Sequence, residues 1–243
     1  MLKKSFCALL LSAAVFVPAA FCASVSEITS PDNNIVLRVS NEPALSYSVQ
    51  YKGETVVALS KIGIKIKDAA PFGAVDVTSS EAKSVNQTWE YPWGRQKTYR
   101  DQYNSVAWKV KERTGSRTLG LEFRVYNDGV ALRYLIDKGT VDADEYTLEQ
   151  DLTEFNFNAD HTAWYADFGS FSSSQEKPCV KQNLSLMGSN AHVGCPVVIQ
   201  TGEKGPYLAL TEAELNHWGG LYFQSAEPAE VQTLFDSGVL KTG

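Results

Sequence analysis

Histidine and cysteine are scarce in this chain, and each shortage removes a class of chemistry. The 3 histidines, His161, His192 and His217, are scattered with no pair at metal-ligand spacing, so a histidine-built metal centre is not expected. Basic charge is also short, with 22 Lys and Arg against 28 Asp and Glu. Nucleic acid is therefore an unlikely partner, because phosphate binding needs a concentrated basic face. The sequence has no Gly-x-Ser-x-Gly elbow, no phosphate-binding glycine loop and no dinucleotide fingerprint, which weakens serine-triad and nucleotide-dependent readings. Beyond the first residues no segment shows a useful run of helical periodicity, and none is long and apolar enough to cross a bilayer.

The leading residues do form an apolar run. Met1-Leu2-Lys3-Lys4 precedes an apolar stretch from Phe6 to Phe21, and small residues follow at Ala23 and Ser24. A short basic start, a core too short to span comfortably and a small-residue exit describe a secretory signal peptide over residues 1–23. Cys22 follows Phe21, with Ala19 three places before it, which is not the pattern of a lipoprotein anchor, so no membrane attachment is expected after cleavage. The expected location is outside the cytoplasm. Cys179 and Cys195 remain after processing. They can pair in an oxidising compartment, for about 3 kcal/mol of stability, or stay as two buried thiols.

From residue 24 to 243 the dominant pattern is alternation of apolar and polar residues, the mark of strands with one buried face. Ile62, Ile64 and Ile66 alternate with lysines, and Val106, Trp108 and Val110 alternate with Ala107, Lys109 and Lys111. Leu119, Leu121, Phe123 and Val125 share a face before Asn127-Asp128-Gly129, after which Val130, Leu132, Tyr134 and Ile136 resume the alternation. This segment reads as a β-hairpin whose turn residues tolerate positive φ. Further strands are expected near Ile35–Val39, Leu45–Tyr51, Val197–Thr201, Tyr207–Leu210 and Gly220–Phe223. Asp68–Tyr103 and the Ser- and Asn-rich stretch Asp167–Gly194 lack regular patterning and read as long irregular loops. The fold class is all-β, an antiparallel sandwich.

Carboxylates are plentiful, but alternation alone does not select a catalytic pair. Glu122, for instance, lies on the polar side of its strand and reads as a solvated charge. Trp89, Tyr91, Trp93, Tyr99 and Tyr103 fall close together in one of the irregular stretches. Their rings suit either stacking on sugar faces or burial against another domain, and the second is favoured.

Several long motifs occur in order along the chain. Ser30-Pro31-Asp32-Asn33-Asn34 is followed by Thr88-Trp89-Glu90-Tyr91-Pro92-Trp93-Gly94, and that by Tyr103-Asn104. Phe123-Arg124-Val125-Tyr126-Asn127-Asp128-Gly129-Val130-Ala131-Leu132-Arg133-Tyr134 comes next, then Thr211-Glu212-Ala213 with Gly219-Gly220-Leu221. Together they resemble the N-terminal domain of glycoside hydrolase family 97. The resemblance implies an exported bacterial α-glycosidase, in the periplasm of a Gram-negative bacterium, acting on α-glucosides or α-galactosides. In that family a galactose mutarotase-like β-super-sandwich packs on a catalytic (β/α)8 barrel of the same polypeptide. It also implies calcium as cofactor in the full-length enzyme.

In the family one calcium-binding glutamate lies in a loop after a tryptophan-containing strand. Trp164 followed by Gln175-Glu176 matches that pattern and makes Glu176 the expected metal ligand, although the Asp167–Ser174 segment is a few residues longer than in the family. Glu212, Trp89 and Trp93 are the weaker candidates for interface or sugar-proximal positions, with a hydrogen-bonding role as the alternative for Glu212. His217-Trp218 departs from the family's acid and tyrosine at those places. The family's catalytic carboxylates belong to the barrel, so this chain alone is expected to be inactive and to bind calcium poorly. The run from Gln224 to Gly243 matches the family's closing strands weakly, which suggests a sandwich incomplete at its C-terminal edge. A free-standing carbohydrate-binding module is the alternative reading.

Overall fold

The computed structural model describes residues 24–141, 145–215, 218–225, 230–235 and 238–241. Residues 1–23, expected to be a signal peptide, and His217 lie outside the described residues. Among the described residues the only helix is a single 3-10 turn at Leu184–Leu186, and the rest of the regular structure is 19 strands.

Every strand pairing is antiparallel. The first sheet is a meander of β1 (Val25–Thr29), β2 (Ile35–Ser40), β3 (Ser46–Tyr51) and β4 (Glu54–Lys61). Its third turn, Lys52-Gly53, sits in the left-handed region at φ 51° and 85°. A two-residue hairpin needs that backbone to match the strand twist, and glycine adopts it without strain.

A second meander runs β6 (Val75–Glu90), β7 (Thr98–Glu112), β8 (Thr118–Val125) and β9 (Val130–Leu135). On β8 the burial alternates residue by residue, placing Leu119, Leu121, Phe123 and Val125 inside as the sequence implied. The β8–β9 hairpin forms, but none of Asn127, Asp128 and Gly129 adopts positive φ. Four residues connect Val125 to Val130, closed by the Tyr126 N–H donating to Gly129 O at 2.8 Å, and a longer loop of this kind needs no left-handed residue. The Asn127 side chain instead accepts from the Asp32 N–H at 3.0 Å.

β5 (Ile64–Ile66) and β10 (Glu145–Asp151) make a third sheet with β19 (Gly238–Lys241). β11 (Glu154–Asn156), β14 (Val193–Gly194), β17 (Leu221–Ser225) and β18 (Glu230–Phe235) form a fourth, and β12 (Thr162–Tyr165), β13 (Val180–Asn183), β15 (Val197–Gln200) and β16 (Tyr207–Leu210) a fifth. The run after Gln224, which suggested a missing edge, supplies two strands. β18 lies between β11 and β17, and β19 extends the β10 sheet.

The inward faces merge into one apolar core that joins Leu37 and Val39 to Trp108, Leu121, Phe123, Leu148, Ile199 and Phe223. The Trp108 Nε1–H donates to Ser26 Oγ at 3.1 Å, tying β7 to β1 across the layers. At roughly 25 cal/mol per Å² of apolar surface, burying each such large side chain stabilises the fold by about 1.5–3 kcal/mol. The molecule is an antiparallel β-super-sandwich.

The stretch expected to be irregular from Asp68 to Tyr103 is mostly a hairpin. β6 and β7 pair continuously from Val75↔Glu112 to Glu90↔Thr98, with a bulge at Thr78. From Ser79 outward nearly every residue of β6 is exposed on both faces. A strand with no buried face has no reason to alternate, and the sequence signal for it is absent.

Candidate functional site

Glu176 lies where a loop from β12 returns to β13, after the strand that carries Trp164. Aromatic contacts fix this loop on the fourth sheet. Phe171 meets Tyr222 edge-on at 5.1 Å and His192 at 4.8 Å, while Phe168 meets Tyr222 at 6.4 Å. Asp167 Oδ1 accepts from the backbone N–H groups of Gly169 and His192, both at 2.9 Å. The Phe168 ring occupies the space where a side chain of Gly194 would be, since a Cβ there would lie 2.1 Å from Phe168 Cε2. Only glycine at position 194 allows the loop to lie this close to β14.

Gln175 is held at φ 61°, in the sparsely populated left-handed region, and its Nε2 donates to Tyr222 OH at 2.6 Å. The Glu176 side chain, next in sequence, is exposed. The serine-rich loop is thus anchored at Phe168, at Phe171 and at Gln175.

Glu212 approaches the start of the same strand. Its Oε2 accepts from the Leu221 N–H at 2.9 Å, at the start of β17. The Cys195 thiol donates to Leu221 O at 3.6 Å. Burial pushes that thiol up to about 11, with the Glu212 charge adding to the shift. Glu212 is thus a hydrogen-bond acceptor for Leu221 of β17, and the next residue of that strand, Tyr222, accepts from Gln175, the neighbour of Glu176. Cys195 is half-buried, Cys179 is exposed, and both are free thiols. The paired alternative is not what the fold holds, and Cys179 is not buried.

Trp89 and Trp93 belong to a separate cluster at the tip of the β6–β7 ribbon. Trp89 stacks on its cross-strand partner Tyr99 at 4.8 Å and 18°, and meets Tyr91 edge-on at 5.9 Å. Trp93 is 73% exposed.

Other acids are engaged within the fold. A cleft of about 430 Å³ has Lys61, Phe72, Asp151 and Glu154 in its lining. Asp151 Oδ1 accepts from the Thr153 N–H and hydroxyl at 2.9 and 2.6 Å. Glu154 accepts from the Lys61 N–H at 3.2 Å and its Nζ at 3.1 Å. Glu122, which read as a solvated charge, is 16% exposed at its side chain and receives Arg124 Nε at 2.8 Å and Arg133 Nη2. Burial raises its pKa, but the hydrogen bonds from Arg124 and Arg133 outweigh that and hold the carboxyl below the usual range. Among the described residues no group of 3 or more His, Cys, Asp or Glu could hold a metal ion.

Pattern reading did not find Phe168, Phe171, Gln175 or Tyr222. Gln175 and Tyr222 are 47 positions apart, and no local signal connects them.

These features define a large antiparallel β-sandwich domain that carries a loop braced against one of its sheets. The sequence profile described as glycosyl-hydrolase 97 N-terminal matches residues 28–238, and the chain belongs to that family. It is 24% identical over 212 residues to a retaining α-galactosidase of Bacteroides thetaiotaomicron, covering 83% of this chain and 30% of that protein. A family 97 glycoside hydrolase solved with acarbose, from a Pseudoalteromonas species, superposes with a TM-score of 0.77 at 24% identity, over 89% of this chain and 34% of that one. A β-arabinopyranosidase superposes with a TM-score of 0.79 at 16% identity, over 90% of this chain and 38% of that one. The chain therefore spans about a third of the length of these relatives.

Proposed function

We propose that this chain is the N-terminal part of an exported, calcium-dependent α-glycosidase, that it packs on a (β/α)8 barrel of the same polypeptide, and that Glu176 is its calcium ligand. The observation carrying this reading is the bracing of the Glu176 loop. Two phenylalanines, a left-handed glutamine and a glycine contact hold an otherwise polar loop against β14 and β17, yet the carboxylate at its end is exposed. A fixed loop presenting one acid outward suits a ligand donated across a domain boundary. The relatives' names, a retaining α-galactosidase and an enzyme holding acarbose, support α-linked oligosaccharides as substrates.

The residues present do not make a calcium site by themselves. Calcium takes about six to eight oxygens and one glutamate offers at most two. Hydrolysis of a glycosidic bond likewise needs two carboxyl groups flanking it, while the buried acids Asp151 and Glu154 and the partly buried Glu122 are bonded within the sandwich.

The chain from Ser24 to Gly243 is expected to give no turnover of nitrophenyl α-glucoside or α-galactoside and no tight calcium site by calorimetry. Any rate removed by mutating a residue of this chain, or one tight site, would overturn the proposal. In a polypeptide carrying the barrel, Glu176→Gln should raise the calcium needed for half-maximal activity by about tenfold or more, the scale known even for residues behind the metal ligands.

A free-standing carbohydrate-binding module is the second reading, favoured by the exposure of Trp93. One face of Trp89 is already covered by Tyr99, which leaves less platform for a sugar ring. Saturable binding of maltooligosaccharides by the chain alone would favour this reading over the first.

A further inference from the structure

The β6–β7 ribbon carries a feature that the glycosidase reading does not use. Among the described residues β6 is the outer strand of its sheet, bonded to β7 on one side only. Beyond the Thr78 bulge it runs regularly to Glu90, with both faces in solvent. Such an edge offers a row of unpaired N–H and C=O groups to any other strand. Proteins usually guard a long edge with like charges, proline or further bulges. From Ser79 to Glu90 there is no proline, and the charges on the inner part are Glu81 and Lys83, one on either side of Ala82.

We propose that the outer edge of β6 pairs antiparallel with β6 of a second copy of this chain, with Ala82 facing Ala82 on the two-fold axis. Antiparallel self-pairing about a residue places each position opposite its mirror position. Glu81 and Lys83 already pair with each other along the strand at 3.6 Å, and in the dimer Glu81 also faces the second copy's Lys83 and Lys83 its Glu81, which closes a four-charge cluster of alternating sign. Ser80 faces Ser84 and Ser79 faces Val85, and within this regular segment no like charges meet. Residues opposite one another share a face of the sheet, which keeps each opposite-charge pair within reach. A symmetric patch that is complementary to itself is what a closed two-fold dimer requires.

This register also carries the Trp89–Tyr99 tip of each ribbon toward the base of the other and turns two four-stranded sheets into one continuous sheet.

Sedimentation equilibrium on the chain from Ser24 to Gly243 tests the pairing, and needs neither calcium nor substrate. The expected mass is twice that of one chain at tens of micromolar. Lys83→Glu puts acids opposite one another twice per dimer, and should raise the dissociation constant by at least about tenfold. The double variant Glu81→Lys/Lys83→Glu reverses both signs and should restore the dimer. Both positions are exposed, so the variants keep the core intact. A monomeric wild-type chain overturns the proposal, and assigns the ribbon to some other surface. A dimer indifferent to Lys83→Glu, or a loss that the double variant does not repair, overturns it as well.

Discussion

Replacing Gly194 with alanine tests whether the Glu176 loop is held by packing or merely rests on the surface. The new Cβ would lie 2.1 Å from Phe168 Cε2 and 3.0 Å from both Cδ2 and Cζ. Carbon atoms approach to about 3.5–4.0 Å at best separation, so the ring must move by more than an ångström. Gly194 is paired to Tyr222 in the β14–β17 ladder, and cannot easily yield in its place. Moving the ring loses its edge contact with Tyr222, about 0.5–1.5 kcal/mol in such pairs, and overpacking adds a cost on the order of 1–3 kcal/mol. Because Phe168 is only partly buried, a total of about 2 kcal/mol is expected. Urea unfolding should show the midpoint reduced with the slope unchanged. Hydrogen exchange should accelerate over Asp167–Glu176 and not in β8. An unchanged midpoint with unchanged exchange would refute the packing argument, and with it the claim that Glu176 is pre-positioned.

Two further outcomes follow from the ionisable groups. Glu122→Gln should destabilise the fold by about 1–2 kcal/mol, since two guanidinium groups lose a charged acceptor in a partly buried place. The folded-state pKa of Glu122 lies below the ordinary value, so its stabilisation is complete above the unfolded pKa of about 4.3 and is lost as the pH falls through the folded value. The gap between wild type and Glu122→Gln in urea midpoint should therefore close in acid, and a gap that widened would refute the assignment. In a chain starting at Ser24, a thiol reagent at pH 8 should label exposed Cys179 well before Cys195, whose pKa of about 11 leaves roughly one thiolate in a thousand. Mass spectrometry of the labelled peptides checks the order, and equal rates would contradict the burial of Cys195.

Strands with one buried face were legible because burial imposes alternation. Ile62, Ile64 and Ile66 are all buried even though the chain breaks from β4 to β5 between Lys61 and Ile64, and β8 alternates along its whole length. β6 was illegible for the converse reason: with water on both sides, polarity carries no phase. The Asn127-Asp128-Gly129 turn was located correctly, but its backbone was not, because loop length decided the conformation and the side chain of Asn127 found a partner at Asp32. At the candidate site the family motif led to Glu176, whereas the residues that brace its loop are joined only by the tertiary fold. Glu212 shows the same limit. Its sequence motif stood out, and its role as acceptor for Leu221 depends on how β17 begins.

The placement of β18 and β19 governs when this domain can come into being. Residues 154–156 have their strand partner at 230–232, and residues 145–148 are flanked by 238–241. A nascent chain that has emerged only to Gln224 can build the two meanders of its first half, but β11 then has no ladder and β10 lacks one side. Closing contacts across such sequence distances is slow. Until β18 and β19 arrive, strands meant for the interior stay open to other chains. For a domain of this design the hazardous interval is the one before those two strands emerge, and a deletion of a few residues within them should harm folding yield far more than a deletion of equal size in the β6–β7 ribbon.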